Sequence, residues 1–208
     1  MERTVSRPSA FFYAEGANNS LPRSAESGER PDHLKNDSPT TNDWPGRLCP
    51  SCALCCNGVL FADVRLQPVD QPAQLVRLGV TLKTRGTITR LPQPCSCLEG
   101  NLCRIYADRP TRCRTFECRL LQSAQAGETT EQLALKTIRA GRAAAEEVRR
   151  ILHELGDTDE SDPLSRRYQR QMREPVDLAG EERLIDLRGE LMMAVSRLVG
   201  LLERDFLG

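Results

Sequence analysis

Nine cysteines in a chain of 208 residues, all between Cys49 and Cys118, constrain this protein more than any other feature of its sequence. Such a density has three readings, namely disulfides, metal ligation or redox chemistry, and the compartment is the first discriminator. The N-terminus offers only the short apolar cluster Phe11-Phe12-Tyr13-Ala14, too short for the core of a signal peptide, and no stretch reaches a transmembrane length. An odd number of thiols without an export signal argues against a disulfide scaffold. The expectation is a cytoplasmic protein whose thiols stay reduced and open to a metal. Basic and acidic side chains balance at 29 each. The chain as a whole therefore has no electrostatic pull toward nucleic acid or an anionic membrane, and neither is expected as a partner.

The first cysteine group is Cys49-Pro-Ser-Cys52-Ala-Leu-Cys55-Cys56. A spacing of two residues lets both thiolates of a pair face one ion while the intervening amides point at the sulfurs. The run is similar to the opening of a bacterial ferredoxin segment, but Cys56 follows at once and no Cys-Pro comes at the expected offset. Adjacent Cys55 and Cys56 project in different directions, which suits two different centres. The second group is Cys95, Cys97, Cys103, Cys113 and Cys118, with Gly100 and Asn101 providing a turn. Arg104, Arg109, Arg112, Arg114 and Arg119 crowd around it. Guanidinium groups beside thiolates would offset their charge, and a solvated or phosphate-binding face is the competing reading. Sulfur-only donors favour zinc, iron–sulfur or Cu(I) over hard ions.

These residues resemble the YkgJ-like cysteine-cluster family of zinc- or iron-chelating domains. The pattern is a C-x2-C-x2-C-C block, a further cysteine, then C-x-I-Y-x-x-R-P-x-x-C-R-x-F-x-C. The matching residues are Cys49, Cys52, Cys55, Cys56, Cys95, Cys103, Ile105, Tyr106, Arg109, Pro110, Cys113, Arg114, Phe116 and Cys118. The resemblance spans roughly residues 48–121. It implies metal binding through eight ligands, Cys49, Cys52, Cys55, Cys56, Cys95, Cys103, Cys113 and Cys118. Cys97 stands where the pattern usually has an apolar residue, and reads equally as a small buried hydrophobe or a spare ligand. Eight thiolates fit two tetrahedral zinc sites, or one 4Fe-4S cluster with four sulfurs left over.

Outside that block the chain divides by composition. Residues 1–46 carry Pro8, Pro22, Pro31, Pro39 and Pro45 without apolar periodicity, and are expected to form a disordered tail. Residues 47–121 are expected to be a small, irregular, metal-centred domain. Its local elements are a strand or ligand-bearing turn in Val59–Pro68, a helical turn over Pro72–Leu78, and a strand or hairpin arm over Thr84–Leu91 around Gly86. Residues 122–208 turn to helix formers. Thr129 with Gln132 fits a capping box, and Leu133, Ala140, Ala144, Val148, Ile151 and Leu155 recur at helical spacing, which predicts a helix over Glu131–Leu155. Gly156–Pro163 reads as a solvated acidic loop, lacking the ligand order of an EF-hand. A second helix is expected from about Leu178 to Phe206 with the stripe Leu184, Leu187, Leu191, Val195, Leu198 and Leu202. The two helices would pair as an antiparallel hairpin and offer a surface to a protein partner.

Three functional classes follow. The leading one is a metal-binding protein holding zinc or iron. The second is an iron–sulfur redox or group-transfer enzyme, since proteins resembling this pattern include flagellin lysine methylases. The third is a zinc-held interaction module. His33 and His153 are expected to be bystanders, Trp44 to pack at the domain edge, and Tyr106 and Phe116 to cap the metal site from the core. No Ser–His–Asp set, phosphate-cradling glycine loop or methyl-donor fingerprint is present in the sequence, so no catalytic residue is named.

Overall fold

A computed structural model describes residues 43–173, 175 and 182–207. Most of the span read as a tail, His33 with it, lies outside the described residues, as does the expected start of the last helix at Leu178. Trp44 opens helix α1 (Trp44–Cys52), whose N-cap Asp43 accepts the amide of Gly46 at 3.0 Å. Then come β1 (Asp63–Arg65), α2 (Pro72–Arg77), β2 (Lys83–Arg85), β3 (Ile88–Pro92) and a small hairpin, β4 (Leu98–Glu99) with β5 (Leu102–Cys103). A 3-10 turn over Tyr106–Asp108 leads into α3 (Thr111–Thr115) and α4 (Arg119–Gln125). The C-terminal part holds α5 (Glu131–Glu154), α6 (Leu164–Arg173), α7 (Glu182–Leu202) and a π-helical turn, Glu203–Leu207.

The three-stranded sheet runs β1-β3-β2, antiparallel throughout, with Val64 opposite Leu91 and Thr84 opposite Thr89. The expected hairpin around Gly86 is there. Gly86 takes φ +58°, the left-handed value that the first central position of a two-residue turn requires. The irregular block also carries more helix than the sequence suggested, because Pro45, Pro72 and the short run after Pro110 each start a turn of helix.

Two cores result. The larger gathers Leu48, Leu54, Val59 and Leu60 with α4, α5, α7 and Phe206. The smaller is five residues, Leu75, Val80, Leu91, Cys97 and Ile105. The helix over Glu131–Glu154 matches its expectation, but its cap is Thr130, whose hydroxyl accepts the Leu133 amide at 3.3 Å. Its buried stripe is Ala134, Ile138, Gly141, Ala145, Val148, Ile151 and Leu152. Leu133, expected to face inward, is 55% exposed. Helices α5 and α7 pack on each other, and Gly141 lets them close: a Cβ there would meet Leu54, Phe206 and Leu201 at 3.2–3.4 Å.

Helix α6 was not expected. It is held by polar groups: Arg167, 2% exposed, gives Nε to Asp157 Oδ1 at 3.0 Å and Nη2 to the Asp157 carbonyl at 2.8 Å. Arg170 joins Asp157 to Asp162. The acidic loop is thus corrected from solvated to partly buried. Asp157 and Asp162 are spent on arginines, and Asp159 accepts the amide and hydroxyl of Ser161. Among the described residues, no helix is long and apolar enough to cross a membrane.

Candidate metal centre

The elements deliver the thiols in a definite order. Cys49 and Cys52 lie on the last turn of α1, which ends at Ala53 in a left-handed conformation, φ 56° and ψ 5°. That reversal costs a non-glycine residue about 1–2 kcal/mol. It turns the chain tightly enough that the amides of Cys56 and Asn57 both donate to the Ala53 carbonyl, at 2.9 and 3.0 Å. Leu54, fully buried against α5, anchors the turn from below. Arg47 of α1 pairs with Glu131 of α5, and Arg142 Nη1 donates to the Ser51 carbonyl at 2.9 Å. The cysteine turn is therefore clamped to the long helix at three points.

The second segment arrives through its backbone. The Cys95 amide donates to the Cys56 carbonyl at 2.8 Å, the β4–β5 hairpin carries Cys103, and α3 presents Cys113. After α3 the chain extends at Phe116, ψ 123°, and Cys118 becomes the N-cap residue of α4. All nine cysteines are free thiols.

Their mutual influence sorts them. Burial pushes up Cys49, Cys52, Cys55 and Cys118; the charge of Cys118 also raises Cys49, Cys52 and Cys55, Cys49 raises Cys52 and Cys55, and Cys52 and Cys56 raise Cys55, while Cys118 itself is next favoured as a thiolate by amides. Burial also pushes up Cys56, Cys95 and Cys113. Cys56 then feels Cys95, Cys103 and Cys49, Cys95 feels Cys97 and Cys103, and Cys113 feels Cys56, Cys95 and Cys103. Cys52, Cys56 and Cys113 each reach about 12. Two neighbourhoods follow from the cores: Cys52, Cys55 and Cys118 border the large one, and Cys95, Cys103 and Cys113 border the small one.

Cys97 lies inside the small core, next to Cys95. It is fully buried among Leu75, Val80, Leu91 and Ile105, with Sγ 3.8 Å from the Leu78 carbonyl and 3.6 Å from Arg104 Nη2. Tyr106 and Phe116 are corrected from core to surface: they are 44% and 38% exposed. Phe116 meets Phe61 edge-on at 5.0 Å, and Tyr106 lies under Arg109.

The donor chemistry fits a thiophilic metal. Each neighbourhood is sulfur alone, and amides favour several sulfurs as thiolates: Leu54 at Cys52, Cys97 at Cys95 (3.4 Å), and Leu120 and Leu121 at Cys118. Among the described residues, no three such side chains already surround one ion-sized point. What sequence reasoning missed is that Cys118 packs with Cys52 and Cys55 against the large core while Cys113 packs against the small one.

Residues 48–137 match a protein-family model named CxxCxxCC and described as a "putative zinc- or iron-chelating domain". No curated protein and no solved structure matches the chain.

Proposed function

We propose that this chain, which belongs through residues 48–137 to the CxxCxxCC family of zinc- or iron-chelating domains, is a metal-binding protein with two four-sulfur centres. Cys49, Cys52, Cys55 and Cys118 would hold one, and Cys56, Cys95, Cys103 and Cys113 the other. The observation that supports this reading is that Cys52, Cys55 and Cys118 border the large core and Cys95, Cys103 and Cys113 the small one, with Cys97 fully buried. Closed four-thiolate shells suit structural zinc, and the ion supplies folding free energy to the segments it ties together. The raised thiols would be deprotonated on binding, so loading releases protons and strengthens with pH.

A second reading applies to the first set. Three cysteines at two-residue spacing joined by one distant cysteine is the donor pattern of a 4Fe-4S cluster, and the adjacent fourth cysteine goes to another centre, as in two-cluster ferredoxins.

Anaerobic purification followed by metal and acid-labile sulfide analysis tests both readings. Two zinc ions per chain and no sulfide support paired zinc sites. A brown protein with about four iron and four sulfide supports a cluster. A chain that binds no metal with its thiols reduced refutes both.

A further inference from the structure

Helix α7 carries two apolar stripes, and among the described residues only one of them is covered. Leu191, Ala194, Val195, Leu198 and Leu202 are buried in the large core. At about 100° per residue, Ile185, Gly189, Met192, Met193, Ser196 and Gly200 share a second stripe roughly 100° wide on the outside of the helix. Ile185 is 37% exposed, Met192 51% and Met193 61%, and a Cβ at Gly189 or Gly200 would meet nothing within 4 Å. Glycine weakens a helix interior relative to alanine, and the packing of the single chain calls for it at neither place.

This stripe matches itself when a second copy of the helix is laid against it in the opposite direction. A twofold axis at the Met192–Met193 step sets Ile185 opposite Gly200, Gly189 opposite Ser196 and Met192 opposite Met193, so that each large side chain faces a gap or its like. The charges agree with the same register. Asp186 and Glu190 are exposed along one flank of the stripe in its first half, and Arg197 is exposed along the same flank in its second half. In an antiparallel pair that flank faces its own copy, so Arg197 arrives between Asp186 and Glu190 of the other chain. A parallel pair would set Ile185 against Ile185 and Gly200 against Gly200, and would part Arg197 from both carboxylates. Within its own chain Arg197 also acts on Glu147 of α5, which Arg150 already pairs.

We propose that the outer face of α7 is the interface of a homodimer, two copies of this chain packed antiparallel through Ile185, Gly189, Met192, Met193, Ser196 and Gly200. The proposal does not rest on the metal reading. The stripe runs about 24 Å along the helix, which places the contact at the small end of specific interfaces, so the dimer dissociates in the micromolar range.

The test is sedimentation equilibrium of the full chain from about 1 to about 200 µM, the span in which a small interface dissociates. The thiols are kept reduced, so that no intermolecular disulfide contributes. The mass is expected to rise from one chain toward two. Met193→Glu and Gly200→Leu alter open positions; both should remain single chains with unchanged helix content. Arg197→Glu should weaken the dimer about tenfold, since twofold symmetry doubles each exposed ion pair. Adding Glu190→Lys to it should recover a good part of that loss. A chain that stays single at every concentration would overturn the proposal and leave the stripe to another occupant, such as the Phe11-Phe12-Tyr13-Ala14 cluster of the same chain. A dimer that persists in Met193→Glu would also overturn it, by placing the contact elsewhere. So would a double variant no better than Arg197→Glu alone, which would remove the antiparallel register.

Discussion

The molecule contains two regions that solve the same problem with unequal means. The helical region, with the turn around Leu54, buries twenty-one residues in one apolar core. The region of the sheet and the β4–β5 hairpin buries five, one of them Cys97. Fully burying a leucine-sized side chain contributes about 1.5–3 kcal/mol, so the large core can stand on apolar packing and the small one falls far short of offsetting the entropy of its chain. The large core borders Cys52, Cys55 and Cys118, and the small one Cys95, Cys103 and Cys113. The same chemistry would therefore be an addition to the first region and a necessity for the second.

The most severe way to test that contrast is to remove the second set. Cys113→Ser opens a four-sulfur shell, and the loss should be a large share of the about 10–16 kcal/mol of a structural zinc site. Hydrogen exchange should then show residues 63–115 losing protection while α5 and α7 keep theirs. Equal loss in α5 would mean that the two regions are one cooperative unit. The helical region has its own weak point. Asp157→Ala leaves the 2%-exposed Arg167 without its carboxylate, and breaking such a buried pair costs about 3–5 kcal/mol. A lowered urea midpoint with unchanged metal content is the expected result; altered metal content would show that α6 reaches the thiols.

A gentler probe is pH on the metal-free chain. Burial holds Cys52, Cys56 and Cys113 up to about 12, whereas the unfolded thiols ionise near 9.0. Between these values the folded chain binds more protons than the unfolded one, so stability falls as pH rises from about 9 to about 12 and is insensitive to these thiols below it. Partial exposure moderates the effect. Denaturation midpoints at pH 8, 10 and 11 read it directly, and a rising midpoint would contradict the burial of these thiols. The smallest effect expected is that of Cys97→Ala, about 1 kcal/mol, with metal content intact. Loss of an ion in that variant would place Cys97 among the ligands.

How far this was legible in the sequence depended on what the buried positions are made of. The spacing of Cys49, Cys52, Cys55 and Cys56 and the Arg109-Pro110 step are local patterns, readable without a fold. The hairpin at Gly86 and the helix over Glu131–Glu154 were readable too, because turn chemistry and apolar period agree there. Helix α6 was not, since two of its buried positions are Arg167 and Gln171, and a hydrophobic period cannot register a face that a buried aspartate stabilises. The place of Cys118 was equally hidden. It lies five residues after Cys113 yet packs against the large core, because the chain extends at Phe116 before α4 starts.

In the proposed two-centre arrangement, one set nests inside the other. The chain leaves the outer set at Cys55, passes through every member of the inner set from Cys56 to Cys113, and only then returns at Cys118. On a ribosome the inner thiols all emerge before the residue that completes the outer group. If the inner group has already closed, the span left to bridge shrinks from about sixty residues to a handful, which spares about 2 kcal/mol of loop-closure entropy. Assembly order is then written into residue order, from the inside out. A nascent chain stopped just short of Cys118 would carry one finished shell and one with a gap.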